Sequence, residues 1–580
     1  MKILKFGGTS VANANNIKLV LSIIEKKAAQ STKMAVVVSA FSGVTDLLIL
    51  AATKAASKDL SFNDLVTQIQ EKHQKAIEEL INPSQQKNLI EVINTDIYRL
   101  KTLLEGCFLL GELSNRTSDA IVGIGELLSS QIIAKALEQK VPNSEFKDAR
   151  EIIKTNNHFG KAVVNFELSN QLINEYFNSK ATKINVVPGF IAASIDGYST
   201  TLGRGGSDYT AAIIAGALNA EILEIWTDVS GMFTANPKIV KQARPIDFIS
   251  YQEAMELSHF GAKVLYPPTI QPVLKLNIPI VIKNTFEPEA PGTYISSERN
   301  ENENPIKGIS HIDNIALLTL EGSGMIGVSG SSKRLFEVLS NENINVIFIT
   351  QASSEHSICI GILNEDAKKA QSAIDKAFEV EISQNKIDST IVEENLCIVA
   401  LVGENMKNHQ GLSGKMFSTL GKNNVNIRAI AQGASERNIS AVINKRDVKK
   451  ALNSLHECFF EDNAKQLNLF VMGVGNVGEK FIGQIHQQKK YLKENLKINL
   501  RVIALSNSRK MLFDEDGIEL KDWKTSLELG EITNKDKFIS DVIALNLRNS
   551  IFVDVTANES ISQTYSNYLR QNIAVVTCNK

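Results

Sequence analysis

Cysteine is scarce in this chain: five in 580 residues, at positions 107, 359, 397, 458 and 578, with no CxxC pair among them. That spacing offers neither a zinc site nor a disulfide framework, and scattered thiols in a long chain fit a reducing compartment. A charge excess of either sign is also lacking. Sixty-two Lys and Arg against 64 Asp and Glu leave a formal net charge of −2, which gives no reason to invoke nucleic acid or a membrane surface as partner. No apolar run approaches the ~20 residues a membrane helix needs. The N-terminus enters a strand at once, without the basic and apolar regions of a secretory signal. The phosphate-loop pattern GxxxxGK[ST] is absent, and the eight histidines have no metal-like spacing. These absences lead us to expect a cytoplasmic protein without a resident metal. What remains is an ordinary globular composition, 43% hydrophobic and 22% charged, and a length that ~150 residues per domain divides into about four domains.

From Met1 to about Phe286, short apolar strands alternate with amphipathic helices. ILKF is followed by a helix with Ile17, Val20, Leu21 and Ile24 on one face, then by MAVVVSA. Buried β-branched strands joined by helical crossovers predict a mostly parallel sheet covered on both sides. Two glycine turns interrupt this pattern. In KILKFGGTS, Lys5 ends a strand just before Gly7-Gly8-Thr9-Ser10. In GRGGSD, after the strand-like INVVPGFIAAS, Arg204, Ser207 and Asp208 surround Gly203, Gly205 and Gly206. Glycine permits close backbone approach to an anion, and a helix N-terminus attracts it. A lysine beside such turns suits phosphoryl transfer, which needs positioning and cations rather than covalent catalysis.

Other segments are less specific. Ser39 to Asp46, which includes Thr45, is either a capped helix start or a site wall. Glu126 in GIGEL is either a helix-dipole partner or a ligand. Thr227, Asp228, Phe233 and Lys238 lie in or just after a turn-rich loop, WTDVSGMFTANP, suited to grip a nucleotide. Lys263, in GAKVL, is weak evidence in isolation, and His259 reads as structural. Residues 59–115 are a charged, helix-patterned insertion, a candidate lid or dimer contact. Residues 296–306 read as a linker or exposed loop.

An internal repeat defines the middle of the chain. NINVIFITQASSEHSICI matches NVNIRAIAQGASERNISAV at a constant offset of 81, aligning Asn343 with Asn424, Gln351 with Gln432, and Ser354-Glu355 with Ser435-Glu436. Each unit reads strand, helix, strand, turn, strand, helix, strand, the mark of a duplicated module. The paired glutamines are either fold-determining or ligand-binding, since each offers a donor and an acceptor. At Leu467 a strand runs into Gly473-Val474-Gly475-Asn476-Val477-Gly478 and a helix, a credible dinucleotide fingerprint. Ser506-Asn507-Ser508-Arg509 follows the next strand, where an acidic residue would mark NAD; arginine and serines suit a 2′-phosphate.

KFGGTS, SAFSGVTD, GIGELLS, GRGGSDYTA, WTDVSGMFTANP and GAKVLYP resemble, in order, the motifs of aspartate kinases. The resemblance covers essentially all of residues 1–290. The duplicated region is similar to the paired ACT domains of those enzymes. With the glycine turn at 473, the whole chain resembles the bifunctional aspartate kinase–homoserine dehydrogenases. The resemblance implies an amino-acid-kinase three-layer α/β sandwich over 1–295. Two ferredoxin-like α+β ACT domains follow at 310–390 and 391–465, then part of a Rossmann domain at 466–580. It implies that Lys5 stabilises the transferring phosphate and Asp208 organises Lys5. Arg204 and Glu126 would hold the two ends of aspartate, with Ser39, Thr45 and Ser207 around it. Gly7, Gly8, Ser10, Thr227, Asp228, Phe233, Lys238, Lys263 and Val264 would join Lys5 around ATP and its Mg2+. Phe233 and Lys238 replace a tyrosine and an arginine found in many relatives. Gln351 and Gln432 would bind threonine as effector. Gly473 to Gly478, Arg509, Thr556 and Lys580 would serve NADP(H). A homo-oligomer, dimer or tetramer, is implied. The family continues beyond the Asn579-Lys580 pair, so the expectation is a fragment whose dehydrogenase is inactive. A glutamate-type kinase and a non-catalytic sensor on the same scaffold are the competing readings.

Overall fold

The computed structural model describes residues 1–29, 33–179, 182–260, 265–298, 304–326, 330–351, 356–433, 437–461 and 465–578. Lys263, Val264, Ser354, Glu355, Ser435, Glu436 and Lys580 therefore lie outside the described residues. Two compact units result: residues 1–233 with 245–303, and residues 234–244 with 304–580.

The first unit contains strands β1 (Lys2–Phe6), β2 (Met34–Val38), β3 (Ser144–Phe146), β4 (Lys154–Thr155), β5 (Ile184–Pro188), β6 (Ile191–Ser194), β7 (Ser199–Thr201), β8 (Ile222–Thr227), β9 (Phe248–Ser250), β10 (Ile280–Asn284) and β11 (Thr293–Ser296). Eight form one sheet in the order β3-β5-β2-β1-β8-β10-β11-β9, and β4-β6-β7 form a small second sheet. Only β10 and β11 run antiparallel to each other in the large sheet, which is otherwise parallel. Strand side chains alternate between its faces. Leu4, Phe6, Met34, Val36 and Val38 join the core formed with helices Ala14–Ala28, Val44–Ala56 and Ile124–Glu138. Ile3 and Lys5 face the other way, toward helix Gly206–Ala217, which packs on β1, β2 and β8. This is the amino-acid-kinase sandwich.

The 59–115 insertion forms helices Phe62–Leu80 and Pro83–Leu110. Their apolar faces place Leu65, Ile69, Ile97, Leu100 and Leu104 in the same core cluster as the strands. The insertion thus packs into the core of this unit, which corrects the lid half of its reading as a lid or dimer contact. One stretch, Asn115–Glu138, is long and apolar enough by composition to cross a membrane, contrary to expectation. Its most apolar window is 83% buried within this unit, as a core helix would be.

In the second unit, β12 (Gly308–Glu321), β13 (Phe348–Gln351), β14 (Ser357–Leu363), β15 (Ile391–Val402), β16 (Ile427–Gln432) and β17 (Asn438–Asn444) form one sheet ordered β13-β14-β12-β15-β17-β16. Each repeat supplies the expected strand–helix–strand–strand–helix run, but the fourth strand is shared rather than local. The first half of β12 carries Ile309 into the core of the β15–β17 module. The first half of β15 in turn packs Val392 on the core of the β12–β14 module. The register between β12 and β15 shifts twice, once on each strand. At those shifts stand Asn314 and Asn395, with φ of 60° and 59°, a left-handed conformation that asparagine tolerates. They are one repeat apart. The duplication thus preserved a bulge that the motif comparison missed.

The last sheet is ordered β21-β20-β19-β18-β22-β23, from β18 (Lys465–Met472), β19 (Ile498–Ser506), β20 (Lys510–Phe513), β21 (Glu531–Ile532), β22 (Ser550–Asp554) and β23 (Ala574–Thr577). Strands β19, β18, β22 and β23 are mutually parallel, a Rossmann arrangement.

Candidate functional site

A cleft of about 740 Å³ in the first unit is lined by the two glycine turns that the sequence singles out. Lys5 and Asp208 meet because β1 directs alternate side chains toward the helix that begins at Gly206. Lys5 Nζ lies 2.5 Å from Asp208 Oδ1, with both side chains largely buried. The contact is an ion pair. The turn before that helix is set by Gly205, whose φ of 71° and whose closeness to Tyr266 exclude a Cβ. The helix therefore opens its N-terminus into the cleft beside Arg204, which is exposed and has no ion-pair partner among the described residues.

Glu126 is 4% exposed. Burial drives its carboxyl up to about 8, only partly opposed by the Ala40 backbone N–H, and among the described residues its Oε2 has no hydrogen-bond partner. A buried acid that points an unpartnered oxygen into a cleft is suited to receive a cation. Ser39, Thr45, Ser207, Gly7, Gly8, Thr227 and Asp228 line the same cleft, so most of the residues predicted around aspartate and ATP come together.

Three predicted nucleotide residues are not among those that line the cleft. Ser10 is fully buried, and its hydroxyl lies 2.8 Å from that of Thr285; it ties β1 to the strand end at Thr285 and does not line the cleft. Phe233 forms an isolated bridge with Pro245. Lys238 belongs to the second unit and lines a different cavity there.

Sequence reasoning missed Asp119. Its carboxylate accepts N–H bonds from Gly160 (2.9 Å) and Thr201 (2.9 Å) and a hydroxyl bond from Thr201 (2.9 Å). This holds Gly160, in the cleft wall, against the strand that leads to Gly203. Lys72, from the insertion, donates to the Ser42 carbonyl at 2.5 Å and so steadies the opposite wall. Neither residue sits in a recognisable motif. Burial of an acid next to loop N–H groups is a three-dimensional signal. His73 stacks on Phe41, a cleft-wall residue, with ring centroids 4.8 Å apart, and burial pushes its pKa down to about 4.

In the Rossmann part, Gly473 has φ of 100°, and a Cβ there would strike Val555 and Thr556. A Cβ on Gly478 would strike the Gly473 carbonyl, whereas Gly475 faces open space. That is the division of labour a pyrophosphate turn requires: a tight turn, an open approach and a close helix contact. Thr556 is fixed by buried Asp554, which accepts from its N–H and hydroxyl at 2.8 and 2.7 Å. Arg509 is exposed after β19. Gln351 and Gln432 are exposed on β13 and β16, strands that lie in contact although they end opposite sides of the sheet order. Among the described residues no cluster of three His, Cys, Asp or Glu side chains could hold a metal.

Comparisons with known proteins agree with this geometry. Residues 1–284 match the amino acid kinase family, 318–378 and 399–459 the ACT domain, and 473–580 the NAD-binding domain of homoserine dehydrogenase. A chloroplastic bifunctional aspartokinase/homoserine dehydrogenase 1 of Arabidopsis thaliana is 37% identical over 99% of this chain and 64% of its own length. The chain thus spans less than two thirds of that plant relative. The corresponding Haemophilus influenzae protein is 36% identical over the whole chain and 71% of its own length. E. coli aspartokinase III, solved with aspartate and ADP, is 30% identical, covers 80% of this chain and all of its own, and superposes with a TM-score of 0.67. With the cleft between two glycine turns, a duplicated ACT sheet and a dinucleotide turn in one polypeptide, the chain belongs to the bifunctional aspartokinase/homoserine dehydrogenase family.

Proposed function

We propose that this chain is an aspartate kinase, which transfers the γ-phosphoryl group of Mg-ATP to the β-carboxylate of L-aspartate to give 4-phospho-L-aspartate and ADP. The observation that carries the reading is the coexistence in one cleft of the Lys5–Asp208 ion pair and the unpartnered Glu126 oxygen. The two ends of an amino acid are thereby addressed by different charges. Arg204 receives the α-carboxylate, and Glu126, ionised on contact, receives the ammonium.

The β-carboxylate needs no general base, because an ordinary carboxyl is ionised near pH 7. One of its oxygens attacks the γ-phosphorus, and the bond from that phosphorus to the bridging oxygen of ADP breaks. Lys5 neutralises charge on the transferring group. Asp208 keeps the ammonium of Lys5 in place, and the N-terminus of helix Gly206–Ala217 adds its dipole. The glycines Gly7 and Gly8 let backbone approach the phosphates, with Thr227 and Asp228 beside them. Magnesium accompanies the nucleotide in this reading.

We further propose that threonine inhibits this activity through the ACT sheet at Gln351 and Gln432. In the same reading the Rossmann turn takes NADP(H), a hydride carrier, for homoserine dehydrogenation in the longer relatives' manner. ADP release measured with aspartate, glutamate and N-acetylglutamate tests the kinase assignment. Activity with aspartate alone is expected; activity with a different acceptor, or with none, overturns it.

A further inference from the structure

A second cavity, of about 250 Å³, lies wholly within the second unit, between segment Thr234–Arg244, helix Val448–Phe460 and the Rossmann sheet. Its Rossmann residues, Gln466, Asn468, Arg501 and Arg548, stand near the amino-terminal ends of β18, β19 and β22. The dinucleotide turn follows the carboxyl end of β18, so the cavity is not the cofactor site.

Six cations line it: Lys238, Lys241, Lys449, Lys450, Arg501 and Arg548. Two acids line it as well, and both are engaged: Glu515 pairs with Lys449, and Asp516 lies 3.9 Å from Lys241. Arg548 is 3% exposed. Its Nη1 meets Glu457 at 2.7 Å, but Glu461 is 3.8 Å from Nη2, beyond hydrogen-bond reach. Among the described residues, the Nε and Nη2 hydrogens of Arg548 are left without acceptors. Lys450 is 7% exposed and makes no ion pair within 4 Å among the described residues, although Asp447 and Arg446 are both close enough to act on it. Arg501 donates to the Asn468 side chain at 3.2 Å and the Glu515 carbonyl at 3.0 Å; among the described residues no carboxylate lies within 4 Å of it, although Asp516, Asp514 and Glu515 are close enough to act on its charge. Arg548 and Arg501 oppose each other's charge.

Even with Glu457 paired to it, a buried guanidinium whose Nε and Nη2 hydrogens find no acceptor is costly. Two forked guanidinium groups and a buried ammonium lining one small cavity suit a planar or tetrahedral oxyanion. The volume falls below the ~300–1,000 Å³ of pockets for drug-sized ligands, so the occupant is small. We propose that this cavity is a binding site for a small phosphate-class dianion, held by Arg501, Arg548 and Lys450. An occupant would also fasten segment Thr234–Arg244, through Gln242 and Lys241, to the helix and sheet around it.

The test is thermal unfolding of the whole chain in increasing inorganic phosphate against sodium chloride of equal ionic strength, with succinate as a third arm. A saturable rise in melting temperature specific to phosphate is expected, because a ligand that binds only the folded state stabilises it. Arg501→Gln should raise the half-saturating concentration at least tenfold. Lys450→Met should melt higher than the parent without phosphate, since it removes an uncompensated buried charge, and should respond at least tenfold more weakly. Phosphate acting no differently from chloride overturns the proposal. So does a response unchanged in both variants, which would place the ion in the kinase cleft or dinucleotide turn, and so does saturation by succinate but not phosphate.

Discussion

The Asp119 carboxylate grips Thr201 twice, by backbone N–H and by hydroxyl, while also accepting the Gly160 N–H across the cleft wall. One buried side chain thus joins the end of strand β7 to the turn that carries Gly160. Asp119→Asn, which turns an amide N–H₂ toward those donors, should destabilise the protein by about 1–3 kcal/mol. It should also raise the aspartate KM. Denaturation midpoints and steady-state kinetics check both; an unchanged midpoint would remove Asp119 from this role.

Lys5→Ala should leave the fold intact and lower turnover several hundred-fold, corresponding to roughly 3–4 kcal/mol of charge stabilisation lost. Circular dichroism and ADP release are the measurements. A folded variant with near-parental turnover would show that Lys5 is not the charge-neutralising group.

Glu126 gives the pH dependence a definite sign. In the free protein its carboxyl titrates at about 8, so below that pH it is neutral and must lose a proton to pair with an ammonium. kcat/KM for aspartate, which reports the free enzyme, should climb as pH rises toward 8. Glu126→Gln should flatten that limb. Linkage works in the opposite direction for stability. The folded state keeps a proton that the unfolded chain releases near its ordinary 4.5, so this contribution is present below pH 4.5 and lost as pH rises through 8.

Replacing both Gln351 and Gln432 with alanine should abolish threonine inhibition while leaving uninhibited turnover within about twofold. The coupling removed should be of the usual ~1–3 kcal/mol. Inhibition curves that superimpose on the parent's would rule out these glutamines, and inhibition by lysine alone would rule out threonine.

NADPH should bind more tightly than NADH, as read by fluorescence on mixing. Arg509→Ala should narrow the difference by weakening NADPH alone, because only NADPH carries the 2′-phosphate. Equal weakening of both would assign Arg509 to another contact.

Much of the cleft was legible because its chemistry sits in contiguous motifs: Lys5, Glu126, Arg204 and Asp208 each announce themselves beside glycine. The amphipathic pattern of residues 62–110 gave the helices but not the surface they cover, since periodicity reports a buried face without naming what buries it. Ser10 illustrates the converse error. A hydroxyl after a glycine pair reads as a phosphate ligand, yet the chain turns it inward to Thr285. The cavity around Arg548 was invisible, because its cations come from separate stretches of sequence and meet only after folding.

The exchange of strand halves between β12 and β15 means that neither ACT module owns a complete core. Removing either repeat would strip an edge from the other, so the pair should melt as one cooperative block with a single transition. Evolution could not have tuned one copy in isolation after the duplication. A substitution that shifts the bulge at Asn314 should be felt at Asn395, because both interrupt the register of the same pair of strands.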